Sequence, residues 1–509
     1  MPGRRKQTQL FGRATKAGIL AVTSMTLVPS AHAQIVRDPA GDFLPSFTGP
    51  RNADLDVVTT RVAYDGVAFR LDATSNGPIG TTASGVYVLG FNRGAGTAGL
   101  ANVASNVFFD SVVLVNANGT GLVVDTLNGG AVPLPAGAIS ISGNQISAEV
   151  PASLLPSQGL KPGQYTVNLW PRSALGGDET ISDFAPDNSN VRVVLNFPLP
   201  LQASVQSEVV IDAVSDRFED VNNRIAARRN AGKDGFSLFL TAKSRFGNRG
   251  LGHSLADDQS SWSIGGGVDY SVTPNLLVGV AFAAGRNNTD FSDGGKLRTN
   301  IYSPQIFASW HSGGFHLNGF AAYSSVDYKS RRTVPIGTTS FTARAEPDGK
   351  AWSFGASAGY DLISGAFTFG PIADILTSRV KIDGYTETGA DDFGATLQDR
   401  HRRSTRLGLG LAARYGIDYS WGHVALHGKG RLVQELSDKR DILDAAFSIQ
   451  PDLLFSLRGP KTGVTYGTVD LGVDAYTKSG FQIGLSYVPR IDDDGIVDHS
   501  ARLSVSKTF

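Results

Sequence analysis

The 509-residue chain carries 46 Lys+Arg against 46 Asp+Glu, so its formal net charge is zero and it lacks the basic excess of an electrostatic nucleic-acid binder. It has no Cys, which excludes disulfides, thiolate nucleophiles and thiolate metal sites. Glycine is abundant at 60 residues, charged residues are scarce at 18%, and no window beyond the N-terminal segment reaches the ~20 apolar residues of a membrane helix, a balance that points to an all-β chain.

In chain order, the first element is an export signal. Arg4, Arg5, Lys6, Arg13 and Lys16 precede the apolar run 17–28, and Ala31-His32-Ala33 closes it as an A-x-A site. A basic start, a short apolar stretch and small residues predict a secretory signal peptide over 1–33, cut after Ala33, with the mature chain beginning near Gln34.

Residues 34–200 form the second unit. About nine short β runs, among them 55–61, 67–72, 86–91, 107–115, 122–125, 146–150, 165–170 and 191–197, alternate with Gly, Asn and Pro, which predicts a small β-sandwich. No His occurs between His32 and His253, so Ser-His-Asp, Cys-His and His-metal arrangements are unavailable there; a pair of carboxylates for glycoside hydrolysis is the catalytic option that remains, with solvated loop acids as the alternative. Two acidic clusters stand out: Asp38-Pro-Ala-Gly-Asp42 followed by Asp54-Leu55-Asp56, and Asp178-Glu179 followed by Asp183 and Asp187. Calcium takes several hard oxygens, which Asp-rich loops supply, so Asp38, Asp42, Asp54 and Asp56 are candidate calcium ligands; turn-forming Asp is the alternative. No other cofactor is expected.

Residues 201–232 change character. Val205, Val209, Val214, Phe218, Val221 and Ile225 recur at spacings of three to five, an amphipathic helical stripe, with acids on the other faces early and Arg224, Arg228 and Arg229 late. About 25 residues at ~1.5 Å give roughly 37 Å, enough to span a ~30 Å hydrocarbon core. So charged a helix cannot sit in lipid, but it can plug a polar lumen; a surface linker is the alternative.

From 233 to 509 the alternation is strict. Trp352, Phe354, Ala356, Ala358 and Tyr360 share one parity against Ser353, Gly355, Ser357 and Gly359; Leu407, Leu409, Leu411, Ala413 and Tyr415 do the same against Gly408, Gly410, Ala412 and Arg414. Twelve strands, starting near 235, 261, 276, 299, 315, 351, 366, 404, 421, 464, 480 and 500, are joined by alternately long and short connections. An even strand count with long loops at one end and tight turns at the other predicts a twelve-stranded antiparallel transmembrane barrel plugged by the helix. In the last strand Ala501, Leu503, Val505 and Phe509 face lipid, with Lys507 the exception. Gly355-Ala-Ser357-Ala-Gly359 matches a nucleophile-elbow pattern but lies mid-strand, and His423 and His427 are expected to be lumen residues about 13 Å apart, not a metal pair.

This order of signal, small exported domain, charged helix, twelve-stranded barrel and terminal Phe509 resembles the autotransporter family of type V secretion. The stretch from Arg406 to Trp421 looks like a barrel segment shared by that family. The resemblance implies a barrel in the outer membrane of a Gram-negative cell, in contact with its lipids, that carries the passenger, residues 34–200, to the cell surface and keeps the helix in its pore. It implies that Phe509 is read by the barrel-assembly machinery. Some members cut the passenger free at an Asn-Asn pair in this helix, where an Asn side chain attacks its own carbonyl; Asn222-Asn223 stands at the matching place. The opening, D-x-x-G-D before Asp54-Leu55-Asp56, is similar to carbohydrate-binding sandwich modules of the ninth family, which implies a glycan or other surface ligand. The expectation is thus an autotransporter with a binding or adhesion passenger and no enzyme activity; a surface hydrolase built on carboxylates, or a barrel with a periplasmic domain, are the alternatives.

Overall fold

The computed structural model describes residues 35–250, 256–437, 440–459, 465–492 and 495–509. The signal segment and its cleavage site at Ala33 lie outside the described residues.

Residues 35–197 build two facing sheets. One runs Val36–Arg37, Val57–Tyr64, Ala68–Ser75, Gln145–Pro151, Ile139–Ser142; the other runs Val191–Arg192, Thr166–Arg172, Val86–Asn92, Ser111–Asn116, Gly121–Asp125, Ala131–Pro133. Alternate side chains of both inner faces interdigitate: Phe69 lies 5.3 Å from Phe91 and 5.5 Å from Tyr165, ring centre to ring centre, and Tyr64 4.9 Å from Phe69. The expected run 191–197 is corrected: it is two strands serving different sheets. Val191–Arg192 pairs antiparallel with Thr166–Arg172, and Val194–Leu195 turns to lie parallel to Val57–Tyr64. Periodicity reports strand character but not partner, so this switch has no local signal.

The barrel has twelve strands: Phe236–Gly250, Ala256–Thr273, Leu276–Phe291, Lys296–Ser312, Phe315–Ile336, Asp348–Tyr360, Phe367–Ile382, Arg400–Tyr419, Gly422–Glu435, Thr465–Thr477, Phe481–Asp492 and Gly495–Thr508. Each pairs antiparallel with the next, and the last pairs with the first from Ser237↔Thr508 to Gly247↔Asp498, which closes the sheet and satisfies every edge. Leu238, Leu240, Phe282, Ile306, Phe354, Leu411 and Ile483 are exposed on the outside, with Trp310, Tyr360, Tyr419, Trp421, Phe481 and Phe509 near the tight turns and Trp262, Tyr302, Trp352 and Tyr487 towards the other end. An apolar band between two aromatic girdles is what a bilayer requires. Lys507 is reconciled with the lipid face by its length. Its ammonium lies 4.4 Å from the centre of the Phe481 ring and donates to the Ser479 carbonyl at the turn, so the stem covers apolar surface while the charge reaches water.

Several expected long loops prove to be strand. The hairpins around 246–260 and 286–298 go on pairing beyond the apolar band, to Gly250↔Ala256 and Asp290↔Lys296. Outside lipid both faces of a strand meet water or protein, so the apolar alternation that marks a strand in the sequence stops while the backbone pairing does not. The remaining long connections carry a small sheet of their own, Tyr385–Thr386, Ala395–Leu397, Ile442–Phe447 and Phe455–Arg458.

Candidate functional site

Between sandwich and barrel, residues Leu201–Val205 make a 3₁₀ turn that leads into the helix Gln206–Ala231, ended by Gly232 in the left-handed conformation (φ 57°). The helix runs down the lumen. At its start Arg400, beside the long loops, donates to the Gln206 side chain, and the Tyr328 hydroxyl donates to the Gln206 carbonyl (3.2 Å). At its end Arg228 donates to Thr508 Oγ1 (2.9 Å) and to the Lys233 and Gly235 carbonyls, beside the tight turns.

The lumen has two walls. The stripe Val205, Val209, Val214, Phe218, Val221 and Ile225 is buried against an apolar wall that includes Leu297, Ile301, Phe307, Phe320, Val326 and Leu376. Gly355 makes this approach possible, since a Cβ there would stand 2.7 Å from the Phe218 ring. The opposite wall is charged, and its order mirrors the helix. Glu208 pairs with Arg402 (3.4 Å) and Arg406 (2.8 Å), Asp212 with Arg406 (2.9 Å), Asp216 with Lys243 (2.7 Å) and Arg245, and Glu219 with Lys429 (2.5 Å) and Arg431. Further down the sign reverses: Arg224 and Arg228 both pair with Asp269 at 2.8 Å and Arg229 with Asp361 at 3.4 Å. The sequence placed these charges on a lumen helix but not their partners, which were visible only as charged residues on the inward parity of the strands.

Asn222 and Asn223 lie in the lower half of this helix. Asn222 Oδ1 accepts from Asn318 Nδ2 (2.9 Å) and Ser357 Oγ (2.7 Å), while Asn223 donates to Asp470 (3.1 Å) and accepts from Lys429 (3.1 Å). Ser357 of the Gly-x-Ser-x-Gly stretch is thus a lumen hydroxyl gripping the helix. His427 sits between Asp474 (3.0 Å) and Asp470 (3.7 Å), and His423 against Asp418 (2.8 Å). Phe509 closes the last strand, with its amide donating to the Phe236 carbonyl (2.9 Å) and its ring exposed.

The sandwich does not stand apart from the barrel. Val334, Ile336, Ala343, Ala390, Phe447 and Ile449 of the long loops belong to the same apolar core as Phe69, Phe91 and Tyr165. Phe197 is the hinge of this seam, its ring packed edge-on against Phe393 (4.9 Å) and Phe447 (5.1 Å). Around it Lys161 pairs with Asp392 and Arg192 with Asp452, each at 2.5 Å, Gln450 donates to the Gly163 and Val193 carbonyls, and Arg332, bidentate to Glu387, donates to the Pro198 carbonyl (3.0 Å).

The second candidate site lies at one end of the sandwich. The expected calcium set is corrected in part. Asp54 turns inward, where both its oxygens accept from Thr82, at 2.7 Å from the amide and 2.9 Å from the hydroxyl, so it is a structural anchor. Asp38 and Asp42 instead meet Asp183 and Asp187, with one oxygen of each within 4.8 Å of the others. Two acids from each of the acidic stretches read separately in the sequence thus meet in one cluster. Asp56 stands behind them: its Oδ2 accepts from the Gly41 amide (2.8 Å), inside the Asp38–Asp42 turn, and from Asn76 (2.9 Å). Asp183 accepts from the Val57 and Phe184 amides (2.8 and 2.7 Å). Burial, then the charges of Asp42, Asp187 and Asp56, raises Asp38 to about 7; burial, with Asp38 and Asp42 nearby, raises Asp183 to about 8.

Residues 238–488 match the family model described as Autotransporter beta-domain. Over 217 residues the chain is 26% identical to the esterase EstA of Pseudomonas aeruginosa and, to the same degree, to that of Pseudomonas putida; the match covers 40% of this chain and 32% of each relative, so the chain spans about a third of their length. Among solved structures, the translocator domain of the autotransporter NalP from Neisseria meningitidis is similar in fold, with a TM-score of 0.51 at 14% identity over 61% of this chain and 100% of that one. The C-terminal region therefore belongs to the class of helix-filled outer-membrane barrels. It is an autotransporter beta-domain, the membrane part of a type V secretion protein, with its passenger displayed at the cell surface.

Proposed function

We propose that this chain is an autotransporter that keeps its small sandwich attached as a surface binding or adhesion module for a glycan or another surface ligand. The observation that carries this is the apolar seam around Phe197, which makes the long loops a fitted seat for the sandwich. Apolar, core-like contacts are more typical of lasting interfaces than of transient ones. Hydrogen bonds from Asn318, Ser357, Lys429 and to Asp470 also hold Asn222 and Asn223, the pair at the place where some autotransporters cut themselves, to the barrel wall. Assembly through the barrel-assembly machinery, with Phe509 as the recognised end, belongs to this reading. The test is a blot of cells and medium for the wild type and for Asn222→Gln with Asn223→Gln. Retention predicts full-length chain in the cells and none of residues 34–222 in the medium for both. A free passenger that disappears in the double variant would establish self-cleavage instead.

The name of the relatives, esterase, favours a second reading, a surface hydrolase. In this passenger the chemistry would have to come from carboxylates, because no His or Cys occurs between 34 and 252. Hydrolysis of ester or glycoside substrates by intact cells, lost on replacing one passenger acid, would support it.

A further inference from the structure

We infer that Asp38, Asp42, Asp183 and Asp187, backed by Asp56, form a calcium site that fastens the N-terminal turn of the sandwich to the segment leading into its other sheet. The inference goes beyond the display reading and is independent of it. Asp38 and Asp42 belong to the turn after the edge strand Val36–Arg37, Asp56 immediately precedes Val57–Tyr64, and Asp183 and Asp187 lie between Thr166–Arg172 and Val191–Arg192. An ion held here would join three chain segments and both sheets.

Proximity of acids alone does not make a site, but the hydrogen bonding adds a second observation. Asp56 is 1% exposed, and while its Oδ2 holds the Gly41 amide and Asn76, its Oδ1 is buried beside Asp38 and Asp42 with no partner. Asp38 Oδ2 and Asp42 Oδ1 are likewise buried and unpartnered. A buried carboxylate oxygen without a donor costs roughly 1–3 kcal/mol, and a cation held by this cluster would offset that cost at neutral pH, where the carboxylates carry charge. The turn is shaped for it: Gly41 adopts φ +87°, which folds the five-residue segment so that both its carboxylates return to the same side.

The donor set selects the ion. All ligands are carboxylate oxygens, which suit hard divalent cations. Oxygens on opposite sides of calcium, each at about 2.3–2.6 Å, lie up to about 5 Å apart, as the 4.8 Å spread here allows. Magnesium demands a tighter octahedron and keeps most of its waters, binding through one or two carboxylates, not four or five. Asp187 is exposed and opens the cluster to solvent, so an ion can enter after folding.

The test uses the full chain refolded in detergent, free of lipopolysaccharide, dialysed against radioactive calcium, and heated in the presence of protease with calcium or with a chelator. The account expects about one calcium per chain. It also expects a rise of roughly 5–10 °C in the temperature at which the sandwich becomes digestible when calcium is well above its dissociation constant. Asp38→Asn with Asp42→Asn abolishes both effects; Asp72→Asn, an exposed acid elsewhere, changes neither. Should the double variant fail to fold, Asp187→Asn serves, because its exposed side chain bears no packing: affinity falls on the order of tenfold with the fold intact. Absence of stoichiometric binding at about 1 mM calcium, equal protection by magnesium, or an ion lost from Asp72→Asn but kept in Asp38→Asn/Asp42→Asn would overturn the assignment.

Discussion

At the scale of single residues, the sandwich depends on a few buried polar groups. Arg93 and Asp110 are both fully buried; Nε lies 2.7 Å from Oδ1, Asp110 Oδ2 accepts from the Arg93 and Ala95 amides, and the guanidinium also reaches the Asp110 and Pro156 carbonyls. Removing one partner strands a buried charge. Asp110→Ala is expected to destabilise the sandwich by about 3–5 kcal/mol, measured by urea-dependent protease digestion of the detergent-folded chain, whereas Asp72→Ala at the surface costs well under 1 kcal/mol.

The acidic cluster makes a second residue-scale prediction. Asp38 and Asp183 are held at about 7 and about 8, above the ordinary 3.8. Carboxyls with a raised folded value bind protons more tightly folded than unfolded, so their contribution is fully present below the unfolded value and lost as pH rises through the folded one. With a chelator present, the sandwich should therefore lose stability between about pH 4 and pH 8, and Asp38→Asn should flatten that slope. Stability that rises over the same interval would contradict the shifts. Asp54 shows why the site was only half legible: neighbouring acids in sequence share a cluster only if the backbone turns them the same way, and the 3₁₀ turn Ala53–Leu55 directs Asp54 to Thr82 while Asp56, just after it, stands behind Asp38.

At the scale of elements, the helix Gln206–Ala231 is held by an apolar stripe on one side and a graded series of ion pairs on the other. The apolar stripe and the change of charge sign along the helix are both in the sequence; the matching order of Arg402, Arg406, Lys429, Arg431 and Asp269 depends on strand register across the barrel and is not. Glu208→Lys with Asp212→Lys sets two cations against Arg402, Arg406 and Arg490 in a lumen that screens poorly. The upper helix is expected to leave the wall, and single-channel conductance in a planar bilayer to rise above the wild type; Glu208→Gln, which removes charge without reversing it, should raise it less. The seam between sandwich and loops was absent from any local pattern, because its residues come from 197, 334–343, 390–393 and 447–449 and meet only after the barrel closes. Phe447→Ala removes the ring against Phe197 and should cost about 3–5 kcal/mol of docking. Protease then cuts the connection around 198–205 faster, while the barrel keeps its heat-shifted mobility on a gel.

At the scale of the whole molecule, the barrel was the most legible part of the chain. Lipid and lumen impose opposite chemistry on alternate residues, so twelve strands, their tight turns and the inward parity of the last strand could be read from the sequence. What could not be read is where pairing continues past the bilayer, since water on both faces erases the alternation. The direction of the whole follows from the helix: it begins beside the long loops and ends beside the tight turns, and in outer-membrane barrels the tight turns are periplasmic. The sandwich, seated on the long loops, therefore lies outside the cell.

Protease treatment of intact cells, with a tag inserted after Gln34, tests that arrangement most directly. The account predicts that the tag is lost from whole cells while a fragment containing the barrel remains in the outer membrane, and that little tag is found in the medium before protease is added. A tag that stays with the cells and resists protease until the outer membrane is broken would place the sandwich in the periplasm and contradict the account.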